Sequence, residues 1–296
     1  MLSGSVLCLL KTIPFVAFGL IVFPLQASPI GEIPFQFHDG FIWLRISTVS
    51  SPQPLNFLLD TGASASVLDL EVARRLGLKL GERVSVTGVN GTTEGYWPQK
   101  LNAMLGSIHL PKNYLGADLA KLGSECSTPI DGLLGMDFFD GKAVQIDFAS
   151  QKIRMLDAKE AKQIAGEILP LQRRPCGMCI PVEINGGKPQ WMRLDTGCAS
   201  SLHWVTTNVS QQNCSQRIAV ALEEFSLPST FADVTLGKAT FKDVPAGVYA
   251  QAIFPGEAGL LGNGILGRFA QVTIDTKAGR LILSDELNPR CANVRR

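Results

Sequence analysis

Short apolar runs separated by glycine, proline and asparagine recur along most of the chain. FIWLRI at 41–46 and LNFLL at 55–59 are typical, with a Pro- and Ser-rich turn at 50–54 between them. Runs of this length bounded by turn residues predict strands. Helical patterns are short and few, at 70–76 and 158–166. The pattern therefore predicts a mostly β protein.

The same features appear twice in the same order. Each half has an Asp-Thr-Gly after an apolar strand, a Gly-Leu-Leu-Gly further on, a strand that runs into aspartate, and a closing strand. These features stand at 60–62, 132–135, 145–148 and 152–156, and again at 195–197, 259–262, 273–276 and 280–284. Landmarks repeated in one order at nearly constant spacing predict a duplicated domain.

An Asn-Gly pair marks a predicted hairpin in the first half. RVSVTGV at 83–89 and TTEGYW at 92–97 flank Asn90 and Gly91. Asn-Gly between two strand-like runs is a strong hairpin signal. The matching stretch of the second half, 217–231, has no Asn-Gly pair and no glycine. The sequence therefore predicts this hairpin in the first half only.

On these motifs the chain resembles the retropepsin-like aspartic proteases, the superfamily of retroviral proteases and pepsins. The family signature is Asp-Thr-Gly after an apolar strand, followed later by two apolar residues and a glycine, here at 133–135 and 260–262. The likeness covers about residues 41–285. It implies an all-β, two-lobed acid-protease fold formed by two retropepsin-like β-barrel repeats with few short helices. Both repeats lie in one chain, as in pepsins, but each resembles the smaller bacterial type.

The resemblance and the apolar N-terminal segment together give a domain plan. It consists of a signal peptide or N-terminal anchor, an N-terminal retropepsin-like lobe, an inter-lobe connection and a C-terminal lobe, at 1–27, 28–157, 158–178 and 179–296.

An active site shared by the two halves is implied as well. Asp60 and Asp195 would share one proton, because two close carboxylates cannot both ionise cheaply, and would activate a water to attack a peptide carbonyl. The resemblance implies supporting roles around them for Thr61, Gly62, Ser64, Thr196 and Gly197. The hairpin would be a flap over bound peptide, with contacts from Gly88, Asn90, Gly91 and Tyr96; an ordinary surface hairpin is the alternative.

The second copy departs from the family pattern beside its aspartate. Cys198 replaces the usual small Ala or Ser, and Ala199 stands where Ser64 stands in the first copy. A hydroxyl at this position often bonds the aspartate in the family, so its loss is expected to raise the proton affinity of Asp195 relative to Asp60. Two hypotheses follow: an aspartic endopeptidase, or a weak or inactive peptide-binding protein that retains the fold. The two intact Asp-Thr-Gly copies favour the enzyme.

Composition and charge limit the partners. A formal net charge of +1, without a long basic run, argues against nucleic acid and anionic membranes. His38, His109 and His203 are scattered, so neither a metal nor another cofactor is predicted. The expected partner is an extended peptide or unfolded protein. Because the hairpin is predicted in one half only, the sequence argues against a symmetric dimer and predicts a monomer.

The N-terminus predicts export from the cytosol. The apolar segment 13–25 precedes Ala27, as in a secretory signal cut after that residue, which predicts a periplasmic or secreted protein. Because Lys11 falls late, an uncleaved anchor with the catalytic domain outside the cytosol is the alternative. Six cysteines would follow the signal, an even count that suggests disulfides. For the Cys-Gly-Met-Cys run at 176–179, a structural disulfide or no role at all is favoured over a redox or zinc motif.

Overall fold

The computed structural model describes residues 31–288 except 89–90, 124–125, 127, 175–176, 207–213, 221–222, 253, 255 and 286–287. The predicted signal peptide and Asn90 therefore lie outside the described residues. Within them, no helix is long and apolar enough to cross a membrane.

The described fold is dominated by strands, as predicted, and its α-helices are short. The elements up to residue 163 are β1 (Glu32–Pro34), β2 (Gln36–His38), β3 (Phe41–Thr48), β4 (Ser51–Leu59), β5 (Val67–Asp69), α1 (Leu70–Arg75), β6 (Glu82–Gly88), β7 (Gly91–Lys100), β8 (Ala103–Leu105), β9 (Ile108–His109), β10 (Asn113–Ala117), α2 (Ala120–Gly123), β11 (Gly132–Leu134), a 3₁₀ turn (Met136–Phe138), β12 (Ala143–Asp147), β13 (Lys152–Leu156) and α3 (Ala158–Gln163). The remainder are β14 (Glu167–Pro170), β15 (Gln172–Arg174), β16 (Gly177–Ile184), β17 (Gln190–Leu194), β18 (Leu202–Val205), β19 (Cys214–Val220), β20 (Glu223–Leu236), β21 (Ala239–Tyr249), β22 (Gly259–Leu261), α4 (Asn263–Leu266), β23 (Gln271–Asp275) and β24 (Arg280–Leu283).

Two of the three sheets have corresponding strand orders. The first sheet runs β6-β7-β10-β5-β11-β4-β3-β8-β9, and β2 also pairs with β3. The second runs β19-β20-β21-β18-β22-β17-β16-β15. The first seven strands of each order correspond one to one along the chain. The two halves thus build similar sheets from the same sequence of strands.

The third sheet joins the two halves. Its order is β1-β13-β12-β23-β24-β14. At its centre, β12 and β23 are the two strands that run into aspartate, and they pair antiparallel with Ile146 opposite Val272. Both of these side chains are buried. The halves are therefore held together by a continuous hydrogen-bonded sheet.

The strand that leads to the first Asp-Thr-Gly is buried along its last residues. β4 lies between β3 and β11, and it pairs in parallel with β11, with Leu59 opposite Leu134. A strand covered on both faces reads as a continuous apolar run, as 57–59 does. β17 has the same place in the second half, with Leu194 opposite Leu261. Each strand therefore delivers its aspartate into the interior.

The local signals for α1 are confirmed. The Asp69 side chain accepts hydrogen bonds from the amides of Glu71 and Val72 at 2.9 and 3.1 Å, which satisfies the first turn. Gly77, with φ of +66°, ends the helix region. The second predicted helix forms over Ala158–Gln163, shorter than the predicted 158–166.

Two expectations need correction. The second half also has a hairpin, because β19 and β20 pair antiparallel at the edge of its sheet. Strand pairing comes from backbone hydrogen bonds and does not need an Asn-Gly turn, so a hairpin in one half only was a wrong prediction. The even cysteine count likewise does not mean that every thiol is paired, because Cys198 is buried and free.

Candidate active site

Asp60 and Asp195 are brought together at the centre of the molecule. Each follows a buried strand and donates its amide to a parallel neighbour, Asp60 to the Leu134 carbonyl at 2.9 Å and Asp195 to the Leu261 carbonyl at 3.0 Å. Asp60 is 4% exposed and Asp195 is 3% exposed. Each carboxyl group lies against the glycine of the opposite Asp-Thr-Gly turn. Residues far apart in the sequence thus form one buried pair.

Two threonines fasten the loops to each other. The Thr61 amide donates to Thr196 Oγ1, and the Thr196 amide donates to Thr61 Oγ1, both at 3.0 Å. The hydroxyls donate in turn to the opposite strands, Thr61 to the Leu194 carbonyl and Thr196 to the Leu59 carbonyl, both at 2.8 Å. These reciprocal bonds fix the two aspartates relative to each other.

Each turn glycine lies against both carboxylates. The Gly62 amide donates to Asp60 Oδ1 at 2.8 Å, and the Gly197 amide donates to Asp195 Oδ1 at 3.0 Å. A Cβ atom on Gly62 would overlap the Asp195 carboxylate, and one on Gly197 would overlap that of Asp60. Glycine is therefore required at both positions for steric reasons.

Ser64 does not have the contact that the resemblance implies. Its side chain is exposed and lines the cleft above the pair. Among the described hydrogen bonds, none joins its hydroxyl to Asp60, whose Oδ1 instead accepts from the amides of Gly62 and Ala63. The presence of Ser64 and Ala199 at matching positions therefore does not distinguish the two carboxylates by hydrogen bonding.

Arg193 is a site residue that the sequence interpretation missed. It is 3% exposed, and its Nη2 lies 3.8 Å from Asp195 Oδ2. Its Nε lies 3.3 Å from Glu257 Oε2, and its guanidinium lies over the Phe254 ring at 4.6 Å. The available signal was a charged residue inside an apolar strand, two positions before the aspartate and so on the same face.

Burial and mutual repulsion raise the proton affinity of the pair. Burial, followed by the charge of Asp195, raises the pKa of Asp60 to about 7, against the opposing effects of the Gly62 and Ala63 amides and Arg193. Burial also raises the pKa of Asp195, while Arg193 acts in the opposite direction. Because Arg193 lies against Asp195, it works against the expected extra proton affinity of that carboxyl. One proton shared by the pair is the consequence.

Two groups beside Asp195, His203 and Cys198, are buried and neutral. His203 is fully buried, with Nδ1 3.2 Å from the Tyr249 hydroxyl, and burial together with Arg193 lowers the pKa of the imidazole to about 4. Burial raises the pKa of the Cys198 thiol, with a further contribution from Asp195. Since a thiolate is the nucleophilic form, Cys198 is not a nucleophile here.

A cleft of about 630 Å³ opens above the two aspartates. The β6–β7 hairpin covers one side, and its end is the backbone pair Gly88 and Gly91. Trp97 and Thr93 line the cleft from this hairpin. Tyr96 belongs to the other face of the strand and is not a lining residue, because side chains alternate; its hydroxyl donates to Glu94 Oε1 at 2.7 Å. The aromatic side chain that this hairpin presents to the cleft is therefore Trp97.

No group of three or more His, Cys, Asp or Glu side chains in the described part of the chain could hold a metal ion. Comparison with curated proteins finds no match. A family model for aspartyl proteases matches residues 47–138, which include the first Asp-Thr-Gly, the hairpin and the first Leu-Leu-Gly. This segment is therefore similar to aspartyl proteases, and the chain as a whole is a mostly β protein consistent with the acid-protease fold.

Proposed function

We propose that the protein is an aspartic endopeptidase of two duplicated lobes, with Asp60 and Asp195 as its catalytic pair. The observation that carries this proposal is the reciprocal bonding of Thr61 and Thr196, which holds two buried carboxyl groups close together at the floor of a cleft. Burying two acids side by side costs free energy, so such an arrangement indicates a functional role. The similarity of residues 47–138 to aspartyl proteases supports the same conclusion.

The geometry assigns different starting states to the two acids. Arg193 stabilises the ionised form of Asp195, so Asp60 carries the proton. Asp195 takes a proton from a water, and the water oxygen attacks the peptide carbonyl carbon. Asp60 gives its proton to the carbonyl oxygen, where negative charge develops. The product of these two steps is a tetrahedral diol. Asp195 then protonates the leaving nitrogen as the C–N bond breaks, and a hydroxyl of the diol returns a proton to Asp60.

The cleft fits an extended peptide. A peptide between the hairpin and the floor could form backbone hydrogen bonds with strand edges, while alternate side chains enter pockets. We propose that the enzyme acts as a monomer on unfolded protein or peptide, in the periplasm or after secretion. An enzyme held outside the cytosol by an N-terminal anchor is the alternative location.

The test is cleavage of an unfolded protein by the purified chain across pH 3–7, with and without a statine-type peptide inhibitor. We expect cleavage that the inhibitor blocks and that Asp60→Ala and Asp195→Ala abolish. Cleavage that persists in both variants would overturn the assignment of the pair. Inhibitor binding without cleavage at any pH would instead favour the peptide-binding protein that retains the fold.

A further inference from the structure

The two walls of the cleft differ in chemistry. Most lining side chains from the first half are apolar or small, with Val84, Leu115 and Trp97 typical. Among the described lining residues of the second half, by contrast, three are arginines: Arg173, Arg174 and Arg193. A bound peptide would therefore meet an apolar wall on one side and a cationic wall on the other.

The charges of two of these arginines are balanced within the protein. Arg193 faces Asp195 and Glu257. Arg173 pairs with Asp140 at 3.0 Å. Neither guanidinium is therefore a strong candidate for binding a further anion.

Arg174 differs from both. In the described part of the chain no carboxylate pairs with it, and its Nη2 donates to the Gln172 side-chain oxygen at 3.2 Å. Its guanidinium lies over the Trp191 ring at 4.4 Å. Stacking on an aromatic ring holds the planar group in place while leaving its remaining N–H donors available. Such a fixed group loses little freedom when it binds a ligand.

Strand register places Arg174 close to the catalytic pair. It is opposite Gly177 in the β15–β16 hairpin, and β16 pairs in turn with β17, which leads to Asp195. Two strand spacings separate Arg174 from the line of β17, about 10 Å. An extended peptide covers that distance in about three residues.

We propose that Arg174 forms a subsite for an acidic side chain of the substrate, within three residues of the bond that is cut. This inference rests on the proposed function and specifies its substrate class: peptides with Asp or Glu near the cleaved bond on the side of the second half, and apolar residues on the other. A guanidinium binds a carboxylate through two parallel N–H donors, which gives geometric selectivity as well as affinity.

The test uses peptides that differ at one position, Glu or Gln, placed in turn at each of the three residues on either side of a bond mapped by mass spectrometry in an unfolded protein. At one of these positions we expect kcat/KM to be about tenfold higher for the Glu peptide, because the hydrogen bonds from Arg174 to its carboxylate are charge-assisted. Arg174→Gln should abolish that preference, and Arg174→Glu should reverse it in favour of Lys. Arg173→Gln is the matched control and should retain the preference, because Asp140 already balances Arg173.

Equal kcat/KM for Glu and Gln peptides at every position would overturn the subsite and leave the protease proposal standing. So would a preference that survives in Arg174→Gln. If no peptide is cut, the protease proposal fails and the subsite is tested by binding, with fluorescence anisotropy of labelled Glu and Gln peptides. Tighter binding of the Glu peptide that is lost in Arg174→Gln supports the subsite, and equal binding overturns it.

Discussion

The two halves are alike around the aspartates and differ behind them. Each Asp-Thr-Gly has the same amide, hydroxyl and carbonyl contacts. Behind Asp60 lie four buried apolar side chains, Leu58, Val67 and Ala117 on strands and Ile130 just before β11. At the positions that match in register behind Asp195 stand Arg193, His203, Tyr249 and Glu257.

This difference shows which contacts the chemistry constrains. The backbone and threonine contacts fix the distance between the acids, and both halves keep them. The layer behind is free to change from an apolar cluster to a polar one, provided that charge is balanced, as Glu257 balances Arg193. Placing a cation beside only one carboxyl then gives two chemically similar acids different electrostatic surroundings.

The largest expected effect tests the likeness of the two loops. Asp60→Asn and Asp195→Asn should each lower kcat/KM by at least about a thousandfold, because each removes one proton-transfer group. Peptide hydrolysis and circular dichroism would separate lost chemistry from lost folding. Asp157→Asn is the control, since asparagine also caps α3 there. If only one of the two aspartate variants lost kcat/KM, the two Asp-Thr-Gly loops would not be equivalent.

The next effect tests the difference behind the loops. Arg193→Leu copies Leu58 but removes the cation beside the buried carboxyl groups of Asp195 and Glu257, so we expect a loss of about 3–5 kcal/mol in the free energy of unfolding. Adding Glu257→Ile, which copies Ile130, should restore most of that stability while the pH dependence of hydrolysis changes. Urea denaturation measures both. A double variant no more stable than Arg193→Leu would contradict the charge-balance interpretation.

A pH effect on stability is expected from Asp60. Its pKa is raised from 3.8 when unfolded to about 7 when folded, so between these values the folded state holds a proton that the unfolded state has lost. Rising pH therefore lowers the stability of the wild type across that window, by up to about 4 kcal/mol. Asp60→Asn should lack this fall when Tm is measured from pH 4 to 8. Parallel curves for the two proteins would show that Asp60 titrates normally.

The smallest effect concerns the threonines. Thr61→Val and Thr196→Val each remove one hydroxyl donor and one acceptor, and each should cost about 2 kcal/mol of stability. Because the contacts are reciprocal, the two costs should be similar, and the double variant should cost less than their sum. Unfolding free energies of all three variants provide the check. A much larger cost at one threonine would mean that the loops are not equivalent.

The sequence predicted the elements that local chemistry determines. Apolar runs before each Asp-Thr-Gly became β4 and β17, and Asp69 capped α1 where a short helix was expected. The pairing of the two strands that run into aspartate is a long-range contact, and only their repetition suggested a relation between them.

The errors arose where tertiary contacts outweigh local signals. The hairpin of the second half forms without Asn-Gly, and its longer strand β20 continues beyond the hairpin to pair with β21 over Ser229–Leu236. Arg193 was missed because one of its two carboxylate partners, Glu257, lies far along the chain. Tyr96 was chosen for its ring, but strand alternation places Trp97 in the cleft instead.

The pH dependence of kcat/KM for wild-type hydrolysis of one peptide tests the central claim most directly. If Asp60 and Asp195 share one proton, activity requires the protonated form of Asp60, whose pKa is about 7, and kcat/KM should fall above that pH. A statine-type inhibitor should lose affinity over the same range. Hydrolysis that stays constant up to pH 9 would contradict the account.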